Sequence, residues 1–317
     1  MIDAVDIYEK FDGKKQVCWD ASSLGNLQSC PRYYQYNNLE GWRKEVDATP
    51  ALTFGSALHA GLEVYDIERF NGTPSKESLR LAIPEALKVG KTLEFSTDKR
   101  RTLETLVRSL VWYEEQFRDD RIETATLPNG DPAIEVRFEV DFPGVKGRRI
   151  SGRIDKLCYL DGDLYIMDRK TTHATVSNYF FDRFSPNIQV SAYTWALQEY
   201  FGMPVSGFII EVAQTAVGFT RFGRSLITRT SEVLDEWLND TKFWIEQNDH
   251  FLANDYWPQD QTGCMNYGGC KYREVCNRAP RVREAFLEDT MRARGTANSS
   301  GPVAITHPIE KVKAKFE

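Results

Sequence analysis

The stretch from Ser151 to Thr172, SGRIDKLCYLDGDLYIMDRKTT, constrains the fold of this chain more than any other. Two runs rich in Ile, Leu and Tyr flank Asp161-Gly162. An Asp-Gly pair tolerates the positive φ angles that a two-residue type I′ turn demands, so the stretch predicts a β-hairpin. Counting outward from that turn places Asp155 directly opposite Asp168.

The opposed carboxylates of Asp155 and Asp168 predict a metal site. Directly opposed residues have Cβ atoms roughly 4.5 to 5.5 Å apart, so two ionised Asp side chains repel unless a cation lies between them. Lys170 lies two residues beyond Asp168 and therefore on the same face of the strand. Such a set can hold Mg²⁺ or Mn²⁺ against a phosphate while Lys positions or activates the attacking water. The alternative is a surface hairpin with solvated charges, but the apolar run Tyr165–Met167 favours a buried strand.

Composition limits the classes of protein that this chain can belong to. With 317 residues, 41% of them hydrophobic, it can bury one large core or two modest ones. No run approaches 18 apolar residues and the N-terminus has no apolar signal region, so we expect a cytoplasmic protein with no membrane segment. The net charge of −6 is unfavourable for nucleic-acid binding, which then depends on local basic clusters such as residues 99–101 and 146–149. A solvated face is the alternative for either cluster.

The remaining periodicity predicts helices first and a sheet later. Residues 20–130 are mainly helical in pattern, and one helix, with Thr53 as its cap, carries His59. Taken alone, His59 fits an ordinary core or surface histidine. From about residue 132 the period changes to two, which predicts a half-buried strand before the hairpin. The later predicted elements are a helix from Asn187 to Gly202, strands at 205–213 and 217–229, and an amphipathic helix from Ser231 to about Ala253.

Three cysteines, Cys264, Cys270 and Cys276, recur at equal separations of six. They need a fourth ligand for a tetrahedral zinc or a cubane cluster. Cys30, which precedes a proline in a predicted loop, fits that role better than Cys158, which fits the core, or Cys18, which lies in a short apolar patch. Three buried thiols without a metal are the alternative. After Pro280 the chain becomes charged and then rich in Gly and Ser, which predicts a mobile tail.

Several motifs occur in one order along the chain: G-x-x-x-H from Gly55 to His59, GRID ending at Asp155, DRK from Asp168 to Lys170, Q-x-x-x-Y from Gln189 to Tyr193, and one early cysteine with three late ones. Together they resemble the RecB-like branch of the PD-(D/E)XK nucleases. The resemblance is closest to its iron-sulfur members, which include the CRISPR-associated RecB-like exonucleases and the nuclease domain of AddB. It spans about residues 20–280.

The resemblance implies an α/β fold. A restriction-endonuclease-like central mixed β-sheet would be flanked by helices, with an N-terminal helical region and a C-terminal cysteine-bound segment. The implied organisation is an N-terminal extension (1–19), a nuclease domain (20–280) and a charged tail (281–317). Within the nuclease domain we expect a mainly helical part (20–130), the catalytic sheet and helix (131–230), and the last helix with the cysteine segment (231–280).

The resemblance also implies roles for individual residues. Mg²⁺ or Mn²⁺ would be ligated by His59, Asp155, Asp168 and the main-chain carbonyl of Arg169. Lys170 would be catalytic, and Gln189 and Tyr193 would support the site and the DNA end. A [4Fe-4S] cluster, with Zn²⁺ as the alternative, would be held by Cys30, Cys264, Cys270 and Cys276 and would join the two ends of the domain.

The implied function is metal-dependent hydrolysis of DNA. We expect an exonuclease acting on single strands or DNA ends in recombination, repair or replication, with DNA and proteins of such a complex as partners. The alternative is a non-catalytic DNA-binding clamp subunit with a structural metal centre, against which the intact Asp, Asp and Lys set speaks. The chain departs from the family pattern at the Cys264–Cys270 spacing, commonly C-x2-C, and at Arg169, where an aromatic residue is common.

Overall fold

The computed structural model of the protein describes residues 10–44 and 49–292. These residues form two compact units, one from the described parts of Met1–Asp47, Glu139–Gly152 and Ser231–Ile305, the other from Ala48–Phe138 and Arg153–Thr230. Residues 1–9 of the predicted extension and 293–317 of the predicted tail lie outside the described residues. None of the described helices combines enough length and apolar character to cross a bilayer.

The described strands form the seven-stranded central mixed sheet that the sequence predicted and a separate pair made of the first two strands. They are β1 (Phe11–Asp12), β2 (Lys15–Gln16), β3 (Cys18–Trp19), β4 (Glu123–Thr124), β5 (Ile134–Asp141), β6 (Arg149–Leu160), β7 (Asp163–Thr172), β8 (Val205–Thr215) and β9 (Thr220–Ile227). The sheet order is β3-β6-β7-β8-β9, and β4 and β5 also pair with β6. Strand β8 runs parallel to β7, whereas β6 and β9 are antiparallel to their neighbours β7 and β8.

Helices flank this sheet, so the predicted α/β class is confirmed. They are α1 (Ala21–Ser29), α2 (Pro31–Tyr34), α3 (Pro50–Phe70), α4 (Ser75–Val89), α5 (Leu103–Phe117), α6 (Asn178–Asp182), α7 (Ile188–Trp195), α8 (Ser231–Ala253), α9 (Arg273–Cys276) and α10 (Arg283–Thr290). Short π-helical turns follow α2 (Gln35–Leu39) and α7 (Ala196–Tyr200), and 3₁₀ turns lie at Lys91–Phe95, Gln261–Gly268 and Pro280–Val282.

Helix α3 begins four residues earlier than the sequence predicted. Thr49, not Thr53, is the cap, and its hydroxyl accepts a hydrogen bond from the Leu52 N–H at 3.4 Å. Pro50 then occupies the first helical position, where its missing N–H costs nothing. The helix packs with α4 and α5 around an apolar cluster that includes Phe54 and Leu110. This packing fixes the helix that carries His59.

The charged segment after residue 280 contains α10 before the described chain ends. Leu287 of this helix is buried in a cluster with Tyr36, Tyr272 and Val275. Apolar contacts of this kind order a segment whose composition alone is typical of a mobile tail. The boundary that the sequence suggested at residue 281 therefore precedes an ordered helix.

Candidate active site

The β6–β7 hairpin has the turn and register that the sequence predicted. Asp161 and Gly162 both adopt positive φ, at 54° and 93°. The paired residues run from Leu160 opposite Asp163 to Lys156 opposite Met167. Continued by one residue, this register would set Asp155 opposite Asp168, and the two are close enough for the charge of Asp155 to raise the pKa of Asp168. The local chemistry of an Asp-Gly turn therefore brings two carboxylates from distant positions to one place.

Asp168 is held by two of the predicted site residues. Its Oδ1 accepts a hydrogen bond from Gln189 Nε2 at 2.7 Å, and its Oδ2 lies 2.6 Å from Lys170 Nζ. Lys170 Nζ also donates to Gln189 Oε1 at 3.0 Å. Helix α7 supplies Gln189, and Asn187 caps this helix, as predicted, by accepting from the Val190 N–H. The three side chains form a closed ring of contacts that fixes the ammonium group beside the carboxylate.

Asp155 is held by backbone and by His59. Its Oδ2 accepts from the Arg169 N–H at 2.7 Å and lies 3.4 Å from His59 Nδ1. Burial lowers the pKa of His59 to about 4, so its imidazole is neutral and able to bind a metal near neutral pH. Burial raises the pKa of both Asp155 and Asp168, and the negative charge of Asp155 further raises that of Asp168.

Glu135 of β5 is a member of this cluster that the sequence did not indicate. One donor atom each from His59, Glu135 and Asp155 lie within 4.8 Å of one another. Burial raises the pKa of Glu135 to about 7, and its Oε2 lies 2.8 Å from Arg153 Nε. The alternating pattern of β5 predicted that Glu135 lies on the polar side of the strand, but it did not predict that His59 and Asp155 are its neighbours. No motif includes Glu135.

These donors fit a hard divalent cation. Asp155 and Asp168 are only 9% and 2% exposed, and burying two neighbouring carboxylates without a compensating cation is costly. Oxygen ligands are the ones that Mg²⁺ and Mn²⁺ prefer, and a neutral imidazole adds a nitrogen donor. The donor atoms of Asp155 group with those of His59, while Asp168 contacts Lys170 and Gln189.

Tyr193 supports the backbone of β6. Its buried hydroxyl accepts from the Arg153 N–H at 3.2 Å, and its ring packs edge-on against Phe138 at 5.2 Å. Burial raises the pKa of Tyr193 to about 12, so the phenol stays protonated at neutral pH. This contact links α7 to the strand that carries Asp155.

Arg169 points its side chain to the opposite face of β7, into a buried network of charges. Its guanidinium donates to Asp66 at 2.7 Å, to Glu211 at 3.0 Å and to the Tyr113 hydroxyl at 3.0 Å. Lys156 also contacts Asp66, at 3.1 Å. Burial alone would lower the pKa of Arg169, but these partners hold it well above its usual range. The residue between Asp168 and Lys170 thus anchors the strand from behind.

The predicted basic clusters are engaged in internal ion pairs. Asp98 accepts from Arg100 Nε at 2.9 Å and from Arg101 Nη1 at 2.5 Å. In the other cluster, Arg148 Nη2 contacts both carboxylate oxygens of Asp249, at 2.7 and 2.6 Å. These pairs reduce the positive charge that either cluster offers to a phosphate.

Cys30 and the three late cysteines belong to one neighbourhood. A Cβ placed on Gly263 would lie 3.5 Å from the Cβ of Cys30, which puts the residue before Cys264 against Cys30. The Cys264 carbonyl accepts from the Cys270 N–H at 2.9 Å. Among the described cysteines, no three sulfur atoms lie within 4.8 Å of one another, whereas the donor atoms of His59, Glu135 and Asp155 do.

The thiols influence one another electrostatically. Burial raises the pKa of Cys270 and Cys276, and nearby cysteine charges raise it further: Cys264 and Cys30 act on Cys270, and Cys270 and Cys30 act on Cys276. The Sγ of Cys30 accepts from two backbone N–H groups, those of Tyr33 and Asp260, each at 3.4 Å. Thiolate sulfur is a ligand for zinc and for iron-sulfur clusters alike.

Cys18 and Cys158 are both fully buried, in keeping with the core role predicted for Cys158 and with the apolar patch around Cys18. The Cys158 Sγ lies 3.8 Å from the Tyr165 carbonyl. Burial raises the pKa of Cys18 to about 11 and that of Cys158 to about 12. A protonated, buried thiol of this kind packs as a small apolar side chain.

We compared the chain with models of protein families, with curated proteins and with solved structures. The model of the PD-(D/E)XK nuclease superfamily matches residues 19–277. A crystal structure from Eubacterium rectale, described as a "putative exonuclease", aligns with a TM-score of 0.53 and 15% identity over 88% of this chain and 94% of that chain. The crystal structure of SSO0001 aligns with a TM-score of 0.24 and 15% identity over 58% of this chain and 74% of that one. No match was found among curated proteins. At 15% identity, the similarity to the first structure is one of fold.

Proposed function

The chain belongs to the PD-(D/E)XK nuclease superfamily, and from that premise we propose that it is a metal-dependent deoxyribonuclease of the RecB-like branch. We propose further that it is an exonuclease acting on single-stranded DNA or DNA ends. The observation that carries the proposal is the convergence of Asp155, Asp168 and Lys170 on the β6–β7 hairpin, with Gln189 bridging the last two. A binding clamp has no use for a buried pair of opposed carboxylates.

The proposed reaction is hydrolysis of a phosphodiester bond. A divalent ion held by His59, Asp155, Asp168 and the Arg169 carbonyl would polarise the phosphoryl group and lower the pKa of a bound water. Lys170, fixed 2.6 Å from Asp168, orients the attacking water and stabilises negative charge as it develops. The water oxygen forms a bond to phosphorus as the water loses one proton to solvent, the bond to the leaving sugar oxygen breaks, and that oxygen takes up a proton from solvent.

The test is cleavage of matched DNA substrates. We would digest one single-stranded sequence in linear and circular form, and a blunt duplex of the same sequence, with Mg²⁺ or Mn²⁺ and with EDTA. The proposal expects metal-dependent loss of the linear strand while the circle survives. Cutting of the circle would indicate an endonuclease, and binding without any cleavage would support the clamp alternative.

Two variants connect that cleavage to this site. Lys170→Ala and Asp168→Asn should abolish cleavage with little loss of DNA binding, because each removes charge needed chiefly in the transition state. Lys242→Ala is the matched control: its exposed ammonium lies 4.0 Å from Glu246, a surface partner. Equal loss of activity in the control would indicate a general effect of lost positive charge.

For the cysteines we propose a [4Fe-4S] cluster held by Cys30, Cys264, Cys270 and Cys276, with Zn²⁺ as the alternative. Thiolate ligands suit both. Anaerobic purification followed by metal analysis and visible absorption distinguishes them, since about four irons per chain and a brown colour support the cluster. Cys30→Ser should lose the metal, whereas Cys18→Ala, at a buried core thiol, should retain it. A colourless protein with stoichiometric zinc would show that the metal is zinc, while the four cysteines would remain its proposed ligands.

A further inference from the structure

Glu135 is a polar residue beside the proposed metal ligands that no motif explains. Its carboxylate, the His59 imidazole and the Asp155 carboxylate each place a donor atom within 4.8 Å of the other two. His59 comes from α3, Asp155 from β6 and Glu135 from β5, so three separate elements converge on one point. The carboxylate of Glu135 therefore lies where it could coordinate the divalent ion proposed to bind His59 and Asp155.

The backbone at Glu135 has an unusual conformation. Its φ is +51°, although it lies inside β5. A residue with a Cβ seldom adopts this left-handed region, and a local departure from extended geometry re-aims a strand side chain. Non-glycine residues held in this region cluster at functional sites, so the observed outlier is grounds for a functional hypothesis.

The side chain of Glu135 is oriented by an ion pair with Arg153. The Arg153 Nε lies 2.8 Å from Glu135 Oε2. An ionised carboxylate has two oxygens and about four acceptor positions, so it can accept from Arg153 and coordinate a metal together. Arg153 thus acts as a support that holds the carboxylate toward His59 and Asp155.

We propose that Glu135 is a direct ligand of the catalytic metal ion, in addition to the residues that the family motifs supply. The inference rests on the proposed metal-dependent nuclease function and deepens it. The resulting set of three carboxylates, one main-chain carbonyl and one imidazole is better suited to Mn²⁺ than to Mg²⁺, since imidazole is a donor for transition metals and Mg²⁺ retains waters and oxygen ligands.

The chain offers a closely matched control for Glu135. Glu139 lies on the same strand and the same face, four residues on, and its carboxylate pairs with Arg149 of β6 just as Glu135 pairs with Arg153. Both are partly buried glutamates. Glu139→Gln therefore removes the same kind of charge pair without touching the His59 cluster.

The experiment is titration of Mn²⁺ into the purified full chain, without DNA, by isothermal calorimetry. Glu135→Gln should weaken Mn²⁺ binding by about tenfold or more, while Glu139→Gln leaves it unchanged. Arg153→Met should weaken it much less than Glu135→Gln, because the carboxylate remains. Equal losses in Arg153→Met and Glu135→Gln would overturn the ligand assignment, since Glu135 would then act only by holding Arg153.

A second variant keeps the test decisive if Glu135→Gln does not fold. Glu135→Asp retains a carboxylate on a shorter side chain, so its Mn²⁺ affinity should fall below that of the wild type. Wild-type affinity in Glu135→Asp, or in a folded Glu135→Gln, would refute the inference. Failure of the wild-type protein to bind Mn²⁺ at all would instead refute the proposed metal-dependent function.

Discussion

Arg169 provides the sharpest test of how this site is supported. We expect Arg169→Met to destabilise the protein strongly, although the new side chain is similar in length and the position faces away from the proposed metal. Arg169 is 5% exposed, and its guanidinium donates to Asp66, Glu211 and Tyr113. Its loss leaves these groups buried with fewer partners.

The size of the effect follows from the charges that remain. Lys156 still contacts Asp66 at 3.1 Å, and Arg224 Nε still contacts Glu211 at 2.7 Å. The network as a whole contains three carboxylates and three cations, since Arg224 also binds Asp120 at 2.6 Å. Removing one cation leaves one uncompensated buried negative charge, which costs about 3–5 kcal/mol. That is a large part of the roughly 5–15 kcal/mol that stabilises a typical domain.

Urea unfolding in EDTA, followed by circular dichroism, measures this loss. With a slope of about 2 kcal/mol per molar urea, the midpoint should fall by roughly 2 M. Hydrogen exchange of peptides from β7 and β8 would locate the effect. Arg121→Met is the matched control, because Arg121 pairs with Asp161 at 3.0 Å on the exposed surface, and such pairs contribute about 0–1 kcal/mol.

A double variant tests the reasoning itself. In Arg169→Met/Glu211→Gln one negative charge is removed together with the cation, so the double variant should cost at least about 1 kcal/mol less than the sum of the single variants. Additive costs, or an Arg169→Met cost no larger than that of Arg121→Met, would refute the view that charge balance holds this network together.

Three further predictions concern the site itself. Burial raises the pKa of Glu135 from 4.5 to about 7, so between these pH values the folded protein, studied without metal, binds a proton that the unfolded chain has released. The free energy of unfolding should therefore fall as pH rises across this window, by up to about 3 kcal/mol. Urea unfolding at pH 5 and 7.5 measures this change, and Glu135→Gln should make it smaller. Gln189→Ala removes the bridge between Asp168 and Lys170 and should lower kcat about 10- to 100-fold with the KM for DNA unchanged, whereas a rise in KM alone would assign Gln189 to DNA binding. Tyr193→Phe removes the acceptor of the Arg153 N–H and should cost about 1 kcal/mol in thermal or urea unfolding, with a smaller loss of kcat than Gln189→Ala; complete inactivation would contradict this structural role.

The parts of the fold that the sequence predicted are those set by local chemistry. The Asp161-Gly162 turn fixes the register of β6 and β7 because positive φ angles are available to these two residues. The predicted helix from Ser231 to Ala253 has those bounds in the structure, since its apolar period and length suffice to define it. Boundaries set by competition between neighbouring residues were less predictable, and Thr49 rather than Thr53 caps α3.

The parts that the sequence did not predict depend on distant partners. Glu135 lies in an alternating strand whose pattern matched the structure, yet its φ of +51° and its place beside His59 follow from tertiary packing. The ordered helix α10 is similar, because its buried Leu287 contacts residues far earlier in the chain. Periodicity reports which face of an element is buried, and it carries no information about which residues lie opposite.

The role of Arg169 depends both on local strand alternation and on partners that are distant in the sequence. Strand alternation places Asp168 and Lys170 on one face and Arg169 on the other, so the motif DRK serves the metal site and the core at once. An arginine can replace the aromatic residue common at this position only if the buried face balances its charge. Asp66 from α3 and Glu211 from β8 supply that balance, and both lie outside the motif. The substitution and its two carboxylate partners therefore form one unit, and a change at any of the three should be tolerated only with a change at another.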